Sequence, residues 1–338
     1  MQKDNTASQR QTKRLERLAD QGVYRKSLLV HQDCTKVFEH IKPYFANPKN
    51  IDELKRLADT LLLAKPINVS KVRQISPFRY PGGKTWLVPE IRKWIFDLDY
   101  RPTLFIEPFA GGGITSLSVA IEDLADRVIV AEIDPDVASV WKTILAEPGI
   151  LCRKILTFDV TKENVTNVIH SEPDNITDKA FKTIVKNRTQ RGGIIAPGAS
   201  LVKSGENGKG LKSRWYPETL VRRIRTIYEF KHKIEFYEGD AFDIIDQYKF
   251  EKYAVFFIDP PYTAGGKKAG KRLYRFNYID HEKLFAVMGQ IMGKFIMTYD
   301  DSEEVVEMAK KYDLMVSKVP MKNAHHDVKF ELLIKKSD

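Results

Sequence analysis

From Phe78 onward the chain repeats one pattern: a short apolar run that stops on an acid or on glycines, then a segment of helical periodicity. "TLFIEPFA" runs into three glycines and is followed by "ITSLSVAIEDLA". "RVIVAEIDP" ends on acids and leads into "VASVWKTILAE", and "KIEFYEGDAFDII", "YAVFFIDPPY" and "KFIMTYDD" repeat the theme. Apolar strands joined by helices predict an α/β fold built on a doubly wound, parallel sheet. Ligands of such sheets gather beyond the C-terminal ends of the strands. The unusual residues of this chain fall there repeatedly.

Two segments lie outside the pattern. In residues 1–75, "YRKSLLVHQ" alternates like a strand, and "CTKVFEHIKPYF" and "IDELKRLADTLLLA" carry apolar residues at helical spacing. This mainly helical arm fits a ribbon-helix-helix-like DNA-binding unit, or a dimerising or packing arm, and "KPINVSKVRQISP" reads as its linker. Residues 156–233 interrupt the sheet with the glycine-rich, basic stretch "VKNRTQRGGIIAPGASLVKSGENGKGLKSRW", expected as a loop or hairpin, and then the helical "YPETLVRRIRTIYEF". The sheet domain is therefore expected in two pieces, residues 76–155 and 234–338.

The formal net charge of +10 over 338 residues favours a polyanionic partner, nucleic acid first. No apolar run reaches the length of a membrane span, and the N-terminus lacks the apolar core of a signal peptide, so the expectation is a soluble, cytoplasmic protein. Cys34 and Cys152 are the only cysteines and offer neither a zinc spacing nor a disulfide framework.

Four strand ends carry the candidate chemistry. Gly111, Gly112 and Gly113, between a strand and a helix, let a ligand approach the backbone and the free N–H groups of the helix start. The run GGG is not the spacing of a dinucleotide fingerprint, and "RYPGGK" lacks the full context of a phosphate loop. Glu132 ends the next strand, where a carboxylate accepts from two ribose hydroxyls. Asp134 is the alternative there, or a helix cap. Asp240 could accept from the amino group of an adenine ring, or could cap its helix.

The fourth strand, Val255 to Ile258, ends on Asp259-Pro260-Pro261-Tyr262. Two prolines cannot continue a ladder, so they stiffen a loop. The Asp259 carboxylate and the Pro260 carbonyl are two acceptors suited to gripping both hydrogens of one NH2 group. Tyr262 adds a flat face on which a base can stack. Together they read as a clamp for an aromatic amine that attacks an electrophile.

The order "PFRYPGGK", "FIEPFAGGG", "AEID", "NR…G", "SRWYPETL", "GDAF", "IDPPY" and "FNYIDHEKLF" resembles the Dam-like class of N(6)-adenine DNA methyltransferases over about residues 76–335. The resemblance implies a Rossmann-like methyltransferase sheet, S-adenosylmethionine as cofactor, and residues 156–233 as an inserted target-recognition domain. By it, Phe109, Gly111 and Gly113 shape the cofactor site, Glu107 faces its methionine end and Glu132 its ribose. Asp240 and Phe242 hold its adenine ring, and Tyr80 and Lys84 close the pocket. Asp259, Pro260 and Tyr262 hold a flipped adenine of double-stranded DNA, and no metal is required.

Base flipping needs backbone contacts. The basic residues without acidic neighbours are Lys267, Lys268, Lys271, Arg272 and Arg275 after the clamp. In the insert they are Arg188, Arg191, Lys203, Lys209, Lys212 and Arg214. A homodimer through the N-terminal arm and a cognate restriction enzyme are partners the resemblance allows. Other readings stay open: an RNA or protein amide methyltransferase, whose related clamps carry Asn at the place of Asp259, and a DNA-binding regulator with an inactive enzyme domain.

Overall fold

The computed structural model of the chain describes residues 72–80, 82–205, 208–262, 275–276, 278–322 and 328–336, with positions 39 and 50. The chain divides into two compact units, Met1–Pro66 and Ile67–Asp338. The second holds the sheet. The strand and helices expected before residue 72 lie outside the described residues, as do Cys34, Lys267, Lys268, Lys271 and Arg272.

Seven strands form one sheet in the order β3-β2-β1-β4-β5-β7-β6. They are β1 (Leu104–Glu107), β2 (Arg127–Glu132), β3 (Ile234–Glu238), β4 (Ala254–Ile258), β5 (Lys294–Asp300), β6 (Leu314–Lys322) and β7 (Val328–Lys336). Strands β1 to β5 pair in parallel, and β7 runs antiparallel to both β5 and β6. The fold is the Rossmann-like, doubly wound α/β sheet expected, with an antiparallel pair added at one edge. From β1 the chain winds outward through β2 to β3, and from β4 outward to β5. The winding reverses between β1 and β4, so their C-terminal ends open a crevice.

The strands are apolar because both faces are covered. Side chains alternate along each strand, so neighbours enter opposite cores. Phe105, Val130, Val255, Phe257 and Ile296 face one core; Ile106, Ile129, Phe256, Ile258 and Met297 face the other. Phe257 has no exposed surface, so truncating it to alanine costs about 3–5 kcal/mol.

Helices α1 (Val88–Phe96), α2 (Ile114–Ile121), α3 (Pro135–Ala146) and α4 (Gly149–Thr157) bury residues in the first core. So do α5 (Lys162–His170), α6 (Ile176–Thr189) and α7 (Pro217–Glu229), through Val165, Ala180, Ile184, Leu220 and Ile224. The segment 156–233 therefore shares the sheet's core. The stretch "VKNRT", expected in a loop, forms the last turns of α6, with Phe181, Ile184 and Val185 buried beneath it. Val72, Ile75 and Phe78 are buried as well, so the end of the expected linker is packed. Helices α8 (Ala241–Tyr248), α9 (His281–Gln290) and α10 (Glu303–Lys311) cover the second core.

Candidate active site

One cavity of about 1520 Å³ opens over the crevice between β1 and β4. Glu107, Gly111, Gly113, Glu132, Asp240, Asp259, Pro260 and Tyr262 all line it. A site for one small ligand occupies roughly 300–1,000 Å³, so there is room for a cofactor and a second, reacting group. The strand ends singled out in the sequence thus converge, as the winding requires.

The glycine loop is shaped by its neighbours. Gly111 and Gly113 have φ of 47° and 58°, where a side chain is strained. A Cβ on Gly111 would lie 2.5 Å from the Tyr80 ring, and one on Gly113 2.6 Å from Trp141. The Trp141 indole N–H donates to Gly111 O at 3.0 Å, which fixes the loop from below.

Four carboxylates line the cavity around this loop. Glu132 is buried; its Oε2 accepts from Gly111 N at 2.9 Å and its Oε1 from Asp134 N at 2.8 Å. The Ile133 N–H is a third backbone donor, and a lone pair remains for a hydroxyl. Burial raises its pKa to about 7, with the Asp134 charge adding and the backbone donors opposing. Asp134 caps α3, its Oδ1 accepting from Asp136 N at 2.9 Å. Glu107 is buried, accepts from Ser116 N at 2.9 Å, and is raised to about 8, chiefly by burial. Asp240 caps α8, Oδ1 accepting from Phe242 N at 2.8 Å, while it still lines the cavity. Phe109 and Phe242 add apolar walls.

Across the cavity stands the clamp. All contacts of the Asp259 carboxylate among the described residues fall on Oδ1: Thr298 Oγ1 at 2.6 Å, Lys84 Nζ at 3.0 Å and the Tyr262 hydroxyl at 3.1 Å. Oδ2 is thereby presented with its lone pairs. The Tyr262 hydroxyl also lies 3.2 Å from Glu331 Oε2. Its ring stacks on Tyr299, with centroids 5.9 Å apart and planes at 20°. Tyr299 is tied in turn to His281 Nδ1 at 2.8 Å. Burial and the two carboxylates raise the Tyr262 pKa well above that of a free phenol, so the hydroxyl stays a donor. Lys84 is buried, donates to Gly82 O at 3.0 Å, and stands 3.7 Å from Glu331. It belongs to the clamp as much as to the cofactor side where the sequence reading put it.

Asn187, Thr298 and Glu331 escaped the sequence reading. Asn187 binds the backbone of Arg79 in both directions, accepting from its N–H at 2.9 Å and donating to its carbonyl at 3.1 Å. This pins the "RYPGGK" segment to α6 as a strand partner would. Only its "NR" position hinted at this.

The basic candidates divide. Arg188 is 7% exposed and donates to Pro77 O at 2.6 Å, so it is no surface contact. It lines the cavity instead, with Arg79, Arg214, Arg223 and Arg275. Burial, then the neighbouring Arg223, lowers the Arg188 pKa to about 10. Arg191, Lys203, Lys209 and Lys212 are exposed, Lys212 pairing with Asp159 at 3.3 Å. At the rim stand Tyr216, Phe276 and Tyr278, the last 90% exposed.

Among the described residues no helix is long and apolar enough to cross a membrane, and no cluster of acids, histidines or cysteines could hold a metal. No curated protein matches the sequence. Among solved structures, the chain is similar to the rRNA methyltransferase AviRa of Streptomyces viridochromogenes, at 13% identity over 81% of this chain and 94% of that one, TM-score 0.38. It is also similar to the precorrin-6y C5,15-methyltransferase of Geobacter metallireducens, at 10% identity over 74% and 89%, TM-score 0.31. An O-methyltransferase family protein from Burkholderia thailandensis matches at 10% over 86% and 69%, TM-score 0.32. The model of the D12 class N6 adenine-specific DNA methyltransferases matches residues 80–322. That span holds the glycine loop, the strand-end acids and the clamp, and the chain belongs to this family of S-adenosylmethionine-dependent methyltransferases.

Proposed function

We propose that this enzyme methylates the exocyclic amino group of an adenine flipped out of duplex DNA. The observation that carries the reading is the presentation of the clamp. Among the described residues Asp259 is held through Oδ1 alone, and Asp259 and Pro260 border the cavity that the glycine loop and Glu132 share, which leaves Oδ2 and the Pro260 carbonyl as the two acceptors for an amine. Two acceptors facing one NH2 group orient its nitrogen lone pair. The Tyr262 ring, backed by Tyr299, offers a fixed surface for the base.

The residues fit the cofactor. The loop at Gly111 and Gly113 cannot carry side chains, and Glu132 and Asp240 each retain acceptor capacity toward the cavity. S-adenosylmethionine supplies a methyl group on a sulfonium, which leaves without metal assistance. Glu132 would hold the ribose hydroxyls, Asp240 the adenine amino group, and Phe109 and Phe242 the apolar flanks. The buried Glu107 would face the cationic end. The chain's own work is to orient the two reactants, and orientation supplies a large part of such barriers. The methylated nitrogen then gives up a proton, for which the Asp259 carboxylate is the acceptor at hand.

Nucleic acid as the acceptor is favoured by the cavity's border. Arg79, Arg214 and Arg275 line it, and Tyr216 and Tyr278 stand exposed at its rim. Cations and aromatic faces together suit a backbone and its unstacked bases. The description of the family favours adenine in DNA. The test is methyl transfer from labelled S-adenosylmethionine to unmethylated DNA, with Asp259→Ala beside the wild type and the product base identified. Label recovered as N(6)-methyladenine from the wild type alone is the expected result. Label on RNA or protein would overturn the choice of acceptor.

A further inference from the structure

Strand β5 serves the clamp from both faces of the sheet. Thr298 reaches Asp259 on one side, and its neighbour Tyr299 backs the Tyr262 ring on the other. We propose that Thr298 is a positioning residue for methyl transfer: its hydroxyl fixes the Asp259 carboxylate through one oxygen, so that the other faces the amine.

The argument begins with the carboxylate. An Asp χ2 torsion is broad, so a carboxylate held by nothing samples many orientations. Three groups hold Asp259 Oδ1, and they differ in stiffness. Lys84 has a long, flexible side chain and lies 3.7 Å from a competing carboxylate, Glu331. The Tyr262 hydroxyl has one proton and two carboxylates within reach, at 3.1 and 3.2 Å. Thr298 is β-branched and sits on a strand, where χ1 is restricted. It has no exposed surface. Its hydroxyl has a single proton and also meets the Tyr262 hydroxyl, but the contact to Asp259 at 2.6 Å is short, against 3.4 Å to Ile258 O. A short contact to an ionised acceptor takes that proton. Thr298 is thus the stiffest of the three anchors. A buried hydroxyl is also costly without a partner, and valine would fill the same space. The hydroxyl is explained by Asp259.

The inference rests on the clamp reading above. Thr298→Val keeps the shape and removes the hydroxyl; Thr298→Ser keeps the hydroxyl. For each, the single-turnover rate of methyl transfer, the cofactor dissociation constant and the thermal midpoint are measured beside the wild type. A hydrogen bond to a charged group corresponds to a loss of about tenfold or more in rate for Thr298→Val. Cofactor affinity stays within about twofold, and Thr298→Ser recovers most of the rate. A Thr298→Val rate within about twofold of wild type would overturn the proposal. So would equal losses in both variants with cofactor affinity and midpoint falling together, the mark of a packing role. The wild type separates this from the reading beneath it. If its label goes to RNA or protein, DNA fails as acceptor, and the Thr298→Val ratio on that other acceptor still decides the role of Thr298.

Discussion

Lys84 Nζ lies 3.0 Å from Asp259 Oδ1, joining a loop near the start of the sheet domain to the end of its fourth strand. The same ammonium stands 3.7 Å from Glu331 and 4.8 Å from the centroid of the Tyr262 ring. One buried cation therefore balances two carboxylates and touches both halves of the clamp.

Lys84→Met keeps the length and removes the charge. Asp259 and Glu331 are then left near each other with no counter-ion. Glu331, raised by burial and held down by Lys84, is pushed further up. Removing one partner of a buried ion pair costs about 3–5 kcal/mol, and urea unfolding of the variant should show a loss near the lower end. Methyl transfer should fall by about tenfold or more, because orientation at the reacting centre is lost with the charge. Unchanged stability and rate would show that Lys84 balances nothing.

The buried acids give the empty enzyme a pH dependence with a definite sign. Glu132 is raised to about 7 and Glu107 to about 8, both chiefly by burial. A folded-state pKa above the unfolded value means the folded chain binds more protons between the two. The stabilising contribution is complete below the unfolded value, about 4.3 for Glu. It is lost as pH rises through about 7 for Glu132 and about 8 for Glu107. Without cofactor, the thermal midpoint should fall from pH 5.5 to pH 8.5. Glu107→Gln and Glu132→Gln should each flatten the fall, since a neutral amide has no charge to bury. A midpoint that rises over this range in the wild type would contradict the assignment.

How much of this was legible in the sequence follows from what is local. Glu132 is the last residue of β2, Asp259 directly follows β4, and Asp240 and Gly111 lie in the turns just beyond β3 and β1; the parallel winding alone brings such ends together. The clamp was legible for the same reason, since Asp259, Pro260 and Tyr262 are adjacent in the chain. What holds the clamp was not. Thr298 sits inside an apolar run and Glu331 inside "KFELLI", and neither signals that β5 lies beside β4 with β7 beyond it. Arg188 failed differently: in the sequence it is one of many cations, and only the packing of α6 turns it inward to Pro77. Asn187 reads as one polar residue of an expected loop until α6 and its two hydrogen bonds to Arg79 are seen.

The glycine loop can be tested against a control in the same domain. Ala at Gly111 meets the Tyr80 ring at 2.5 Å, and Ala at Gly113 meets Trp141 at 2.6 Å, both at positive φ. Strained backbone and overpacking each cost about 1–3 kcal/mol. Both variants should lose stability of that order and bind S-adenosylmethionine more weakly by calorimetry. At Gly239 an added Cβ meets nothing within 4 Å, so Gly239→Ala should unfold within about 0.5 kcal/mol of wild type. Equal behaviour of all three would remove the steric argument for the loop.

The last prediction concerns the DNA backbone. Each cation that neutralises a phosphate releases condensed counter-ions, and log K falls against log salt with a slope of roughly −0.9 per contact. Replacing Lys267, Lys268, Lys271 and Arg272 together by glutamine should weaken DNA binding and flatten that slope, by about one unit for every residue that meets a phosphate. Arg191, Lys203 and Lys209 are exposed on the segment before α7, and a second triple variant tests that surface in the same way. Arg188→Gln should behave differently. Its guanidinium holds Pro77 O and faces the cavity from a buried position. Its loss should lower stability and activity, because Pro77 precedes the "FRYPGGK" segment that carries Tyr80 and Lys84. A slope that changes as much for Arg188→Gln as for an exposed lysine would return Arg188 to the phosphate contacts. An unchanged slope in the quadruple variant would rule out these four residues as phosphate contacts.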